Sequence, residues 1–135
     1  ATGEASIRGL HLLLAEDNEL NAEIAARLLN DEGATVQVVR DGQQAIDAFA
    51  SRPQGTYDAI LMDIMMPKID GYTATRVIRS TNRQDAKAIP IIAMTAHVFD
   101  EDVKQCLEAG MNAHLPKPLQ MEKVVSTIAR LCKRK

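Results

Sequence analysis

Five short apolar runs, beginning near Leu10, Thr35, Ala59, Pro90 and Ala113, recur at intervals of 25, 24, 31 and 23 residues. Each interval has room for one strand and one crossover helix, so the pattern is a βα repeat and predicts a parallel sheet wrapped by helices. The runs Leu12–Ala15, Ala59–Met62 and Ile91–Met94 are apolar without a break, as strands buried on both faces must be. Thr35–Val39 carries Gln37 at its centre, which suits a sheet edge. Five such units fit a doubly wound α/β sandwich of three layers, with strand order 2-1-3-4-5.

Between the strands the spacing turns helical. Leu20, Ile24 and Leu28 form one expected inward stripe, closed by Gly33 just past the helix end. Asp41 is placed to cap a second helix that presents Ala45, Ile46 and Phe49. Ala74, Val77 and Ile78 mark a third. Asp100 opens a fourth, with Val103, Cys106 and Leu107 inward and Gly110 after its end, and Met121, Val124, Val125, Ile128 and Leu131 define a fifth. All five stripes read as core packing rather than as a cofactor groove.

At 135 residues the chain is expected to form one domain with a substantial core. A net charge of −2 gives no reason to expect nucleic-acid binding, and Lys133-Arg134-Lys135 reads as a solvated end. No apolar stretch approaches the roughly 20 residues of a membrane span. Cys106 and Cys132 lack metal-ligand spacing and read as reduced packing residues, consistent with a cytoplasmic location. The sequence opens on Ala1. Residues 1–9 read as a linker or an expression remnant, and residues 10–135 as the domain, cut from a longer protein.

Four of the runs end in polar residues of types that handle a phosphoryl group. The first leads into Glu16-Asp17, the third into Asp63, the fourth into Thr95, and the fifth through Pro116 to Lys117. In an open parallel sheet the ligand crevice lies beyond the carboxyl ends of the strands, so these groups are expected to converge there. Three neighbouring carboxylates ionise together comfortably only when a cation joins them. An all-oxygen donor set without histidine or thiolate selects a hard ion, Mg²⁺. Asp63 is the expected nucleophile, a carboxylate that accepts a phosphoryl group. Such transfer rests on positioning and on neutralising the phosphoryl oxygens. Lys117 supplies a compact positive charge for that purpose and Thr95 a hydroxyl donor.

These residues carry a family resemblance. Leu14-Ala15-Glu16-Asp17-Asn18, Leu61-Met62-Asp63-Ile64-Met65-Met66-Pro67, Asp70-Gly71, Met94-Thr95-Ala96 and Lys117-Pro118 resemble, in order, the motifs of a response-regulator receiver domain, CheY-like and flavodoxin-like in fold. The likeness runs from about Leu10 to Leu131. It implies that Asp63 takes a phosphoryl group from a phosphohistidine on a histidine kinase or a histidine phosphotransfer protein. It also implies Mg²⁺ held by Asp17, Asp63 and the Met65 backbone carbonyl, with Glu16 as a further candidate. Thr95 and Lys117 would read the phosphoryl state, and the Lys117-Pro118 bond would be cis. Partner contacts would use the fourth predicted helix, fifth strand and fifth predicted helix, or the first helix beside the acidic rim. Glu16-Asp17-Asn18 with Asn21, and Ala109-Gly110-Met111-Asn112, are similar to receivers fused to sensor histidine kinases, so a hybrid kinase is the expected parent and a free-standing receiver the alternative.

The sequence also departs from the pattern. Three residues before the lysine, where many receivers hold Tyr or Phe, stands His114, expected to keep a switching role and to add a titratable ring. Met65 and His97 are expected to flank the phosphoryl pocket and govern water access; His11 reads as a structural histidine. A haloacid-dehalogenase-like phosphatase would carry a second Asp two residues after the nucleophile, and Met65 occupies that position, so a stored phosphoryl signal is expected rather than turnover. A flavin carrier is disfavoured by the acidic loop Glu16-Asp17-Asn18-Glu19, which offers no phosphate cradle.

Overall fold

The computed structural model describes residues 6–66, 68–95, 100–117 and 119–132. The strands are β1 (His11–Ala15), β2 (Thr35–Val39), β3 (Ala59–Asp63), β4 (Ile91–Thr95) and β5 (Ala113–Pro116). They pair in parallel in the order β2-β1-β3-β4-β5, as expected, with β2 at an edge. The helices are α1 (Glu19–Asp31), α2 (Gly42–Ala50), α3 (Gly71–Ser80), α4 (Gln84–Ala88), α5 (Asp100–Ala109) and α6 (Met121–Leu131).

Alternation along the strands builds two cores. Leu13, Ile60, Met62, Ile91 and Ala93 face one side, where Ala45 and Phe49 of α2, Ala74 and Ile78 of α3, Ala86 of α4 and Cys106 of α5 meet them. Leu12, Leu14, Leu61, Ile92 and Met94 face the other, against Ala25 and Leu29 of α1 and Val124, Val125 and Ile128 of α6. Each fully buried aliphatic side chain contributes about 1.5–3 kcal/mol.

Local chemistry fixes the helix ends. The Asp41 carboxylate accepts from the Gln44 amide at 2.8 Å and so caps α2. After α1, Gly33 at φ +96° donates to Asn30, and Ala34 donates to Leu29, closing a Schellman turn.

Two expectations are corrected. The stripe Leu20, Ile24 and Leu28 does not face the core: these residues are 64%, 49% and 36% exposed, while Ala22, Ala25 and Leu29 are buried. The same 3.6-residue period runs through both sets. The small side chains let α1 lie close to the sheet, so the bulkier stripe is turned outward. Likewise Val77 and Leu107 are exposed, leaving Ala74, Ile78 and Cys106 to pack inward. The long third interval also contains an unexpected helix, α4, five mostly polar residues with no side-chain cap.

The amino-terminal ends of β4 and β5 are tied to α3 by Arg79, in the last turn of that helix. Its guanidinium donates to the Gly110 carbonyl at 2.8 and 3.0 Å, to the Ala86 carbonyl at 3.1 Å and to Asn112 Oδ1 at 2.8 Å. Asn112 Oδ1 also accepts from the Ile91 amide, so one side chain joins α3 to the starts of β4 and β5. Arg83 adds a second tie, stacking 4.6 Å over Phe49 and pairing with Asp85.

Candidate phosphoryl and metal site

β1 and β3 are neighbours at the point where the chain reverses its winding, so residues 16 and 17 emerge beside Asp63. Glu16 is held over the edge strand by its amide, which donates to Val39 at 3.0 Å. The carboxylates of Glu16, Asp17 and Asp63 offer oxygens that all lie within 4.8 Å of one another. Glu16 and Asp63 are buried and Asp17 is exposed.

Lys117 enters from the end of β5. Its amide donates to the Thr95 carbonyl at 2.9 Å, which locks the β4 and β5 exits together. Its Nζ lies 2.9 Å from Glu16 Oε1 and 2.9 Å from Asp63 Oδ2. The second Glu16 oxygen accepts from the Asn18 amide at 3.1 Å, and Asp63 Oδ1 accepts from the Met65 amide at 3.3 Å. Asn18 in turn caps α1 through its own side chain.

The electrostatics divide the two buried acids. Burial, reinforced by the neighbouring Glu16 and only partly offset by Lys117, pushes the Asp63 carboxyl up to about 6. Burial acts on Glu16 too, but the Asn18 amide and Lys117 together hold its carboxyl below the ordinary value. Lys117 loses hydration, yet the two carboxylates raise its ammonium above the usual range. Asp63 is therefore the group whose charge is least compensated, and an added cation relieves it most. A hard divalent ion fits this all-oxygen set.

The other sequence-derived positions fall as follows. Thr95 ends β4, buried, at the same rim. Met65 follows Asp63 in the β3–α3 loop with its side chain 78% exposed. His114 is half-buried and lines a cavity of about 320 Å³ with Val103, Cys106, Leu107 and Arg130. His11 stacks near Tyr57, 5.1 Å between ring centres, away from the site. His97, Pro118 and the Lys133-Arg134-Lys135 tail lie outside the described residues, as does most of the 1–9 segment.

Two features escaped the sequence. The Arg40 guanidinium reaches the Asp17 carbonyl at 3.5 Å and Glu19 at 4.0 Å, bringing a cation to the acidic rim. The outward stripe of α1 walls a cavity of about 380 Å³ lined by Ile24, Leu28, Ala25, Asn21 and Leu119, with Glu16 and Lys117 at its end. No spacing rule signals the first. The second is visible in the α1 sequence only once the alanine face is recognised as the buried one.

Comparison with known proteins agrees with this geometry. A family model described as response regulator receiver domain matches residues 12–129. Histidine kinase 1 of Arabidopsis thaliana is 38% identical over 96% of this chain and 13% of its own length. The transcription factor SKN7 of Saccharomyces cerevisiae is 39% identical over 93% of this chain and 19% of its own length. The chain thus spans less than a fifth of either relative. Among solved structures, the receiver domain of a sensor histidine kinase from Pseudomonas aeruginosa, with magnesium coordinated in its active-site cleft, is 38% identical with a TM-score of 0.82, covering 93% of this chain and 99% of that one.

Proposed function

This chain belongs to the response regulator receiver domain family of two-component signalling, and from that premise we propose that it stores a phosphoryl group on Asp63. The observation that carries the reading is the placement of one ammonium group, Lys117 Nζ, 2.9 Å from both buried acids at the sheet's switch point. A carboxylate oxygen of Asp63 attacks phosphorus; the bond to the donor's imidazole nitrogen breaks, its electron pair stays on that nitrogen, and the imidazole takes up a proton from solvent. Lys117 then serves the phosphoryl oxygens instead of the Asp63 oxygen it holds beforehand. Thr95, at the neighbouring strand exit, offers its hydroxyl to the same oxygens.

Asp17, Asp63 and the Met65 carbonyl would hold Mg²⁺. When bound, the ion neutralises negative charge on the phosphoryl group. Glu16 is assigned a lesser part in that shell, because both of its oxygens already have partners. The solved Pseudomonas receiver, with magnesium in its cleft, supports the choice of ion. Met65 stands two residues after Asp63, where a second acid would activate water, and Asp70 further along the loop is engaged in capping α3, so the phosphorylated state is long-lived rather than hydrolysed in turnover.

The phosphoryl donor or acceptor is a histidine phosphotransfer protein or kinase that docks on α1. The exposed Leu20, Ile24 and Leu28 form an apolar stripe leading to Glu16 and Lys117, and such patches mark interaction sites. Phosphorylation is then read out on the α5–β5–α6 face beside His114, as a shift between two conformations. The parent is a hybrid sensor kinase, in keeping with the kinase relatives.

The test is transfer from a labelled phosphohistidine donor in Mg²⁺. The parent chain takes up label and Asp63→Asn does not. Equal labelling of both would overturn the assignment.

A further inference from the structure

The amino end of α2 packs against the β3–α3 loop in a way the phosphoryl chemistry does not explain. A methyl group built on Gly42 would stand 2.1 Å from the Ile69 carbonyl oxygen. Backbone thus lies on backbone with no room for a side chain. One residue earlier in the loop, Lys68 adopts φ +67°, the left-handed region that a lysine rarely enters. Its Nζ lies 3.7 Å from Oδ2 of the buried Asp41, whose other oxygen caps α2.

The loop is equally fixed at its far side. Gly71 donates to the Ile64 carbonyl at 2.9 Å, and a methyl there would meet the Asp63 carbonyl at 2.4 Å. The Met65 amide donates to Asp63 Oδ1, so loop and phosphoacceptor carboxylate share a bond. A contact chain therefore runs from Asp41 and Gly42 through Lys68, Ile69 and Gly71 to the backbone of Asp63–Met65.

We infer that Gly42 and Lys68 are positioning residues for the metal site: α2 seats the loop, through the close approach at Gly42 and the left-handed turn at Lys68, so that the Asp63 carboxylate and the Met65 carbonyl face one ion. Neither residue touches the ion. The inference rests on the Mg²⁺ reading proposed above and deepens it. The turn geometry, rather than the exposed Lys68 charge, does the seating, because a left-handed backbone is unfavourable in a non-glycine residue and persists only where surroundings over-determine it.

The test is Mg²⁺ titration by calorimetry, with amide chemical shifts of Asp63 to Met66 as a second readout. Gly42→Ala weakens Mg²⁺ binding about tenfold or more, the scale seen when groups behind metal ligands are lost. Lys68→Gly, which keeps the turn and discards the charge, binds as the parent does; Lys68→Val, which resists the turn, binds more weakly. Phe49→Leu, at the other end of α2, lowers stability but leaves Mg²⁺ affinity unchanged, separating seating from general loosening. Parent-like affinity in folded Gly42→Ala overturns the inference. Should that variant not fold, equal affinities of Lys68→Gly and Lys68→Val overturn it instead. A parent chain that binds no Mg²⁺ removes the functional reading itself, a different outcome.

Discussion

Replacing Asp63 by Asn should make this fold more stable, by an amount that grows with pH. Burial, with Glu16 close by, raises the Asp63 carboxyl from 3.8 to about 6 despite its bond to Lys117. An acid with a higher pKa folded than unfolded binds more protons in the native state across that interval, so stability falls as pH rises from about 4 through about 6. At 1.36 kcal/mol per unit, the rise amounts to about 3 kcal/mol at neutral pH. That figure is a ceiling, because Lys117 stays charged across this range and Glu16 and Lys117 rearrange around a changed side chain at 63. Asparagine keeps the shape and lacks the charge, so a gain of about 1–3 kcal/mol is expected near pH 8 in chelator, falling toward zero near pH 4. Urea unfolding of both proteins across that range measures it. Mg²⁺ at about a hundred times its dissociation constant then adds about 2.7 kcal/mol to the parent and little to the variant, closing the gap. An Asp63→Asn protein no more stable than the parent near pH 8, or one whose advantage grows in acid, would refute the reasoning.

Other substitutions separate binding, chemistry and packing. Ile24→Lys should slow phosphotransfer from a phosphohistidine protein about tenfold or more, as loss of a central interface contact of about 1.4 kcal/mol or above does. Uptake from a small phosphoramidate should be unchanged, so equal loss with both donors would count against docking on α1. Lys117→Met leaves Glu16 and Asp63 facing each other without their cation and should cost about 2 kcal/mol near neutral pH, below the 3–5 of a fully buried pair because Lys117 is partly hydrated. Chemical unfolding should find that cost shrinking in acid, where the carboxyls protonate. Leu29→Ala removes a fully buried side chain of α1 and should destabilise by about 2–5 kcal/mol; Leu20→Ala, on the outward stripe, should shift the unfolding midpoint little.

The sheet was legible because its central strands are apolar on both faces and recur at a near-constant interval, which leaves few topologies open. The site was legible for the same reason: Asp63, Thr95 and Lys117 each stop an apolar run at the rim where strands end. The orientation of α1 was not. Leucine and isoleucine outweigh alanine on any hydrophobicity scale, yet close approach to the sheet favours the smaller residues, so Ala22 and Ala25 won the buried face. α4 escaped because five residues, three of them polar and two alanine, are too few to carry a period. Arg40 beside Asp17, and the sharing of Lys117 between Glu16 and Asp63, are contacts between distant parts of the chain, and no local pattern encodes them.

Arg79 gives the domain a hinge side and a free side. With one guanidinium bolting α3 to the starts of β4 and β5, those strands are clamped at one end like pages in a binding. A rearrangement at the opposite rim would therefore meet least resistance at the carboxyl ends of β4 and β5, where Thr95 closes one strand and Lys117 follows the other.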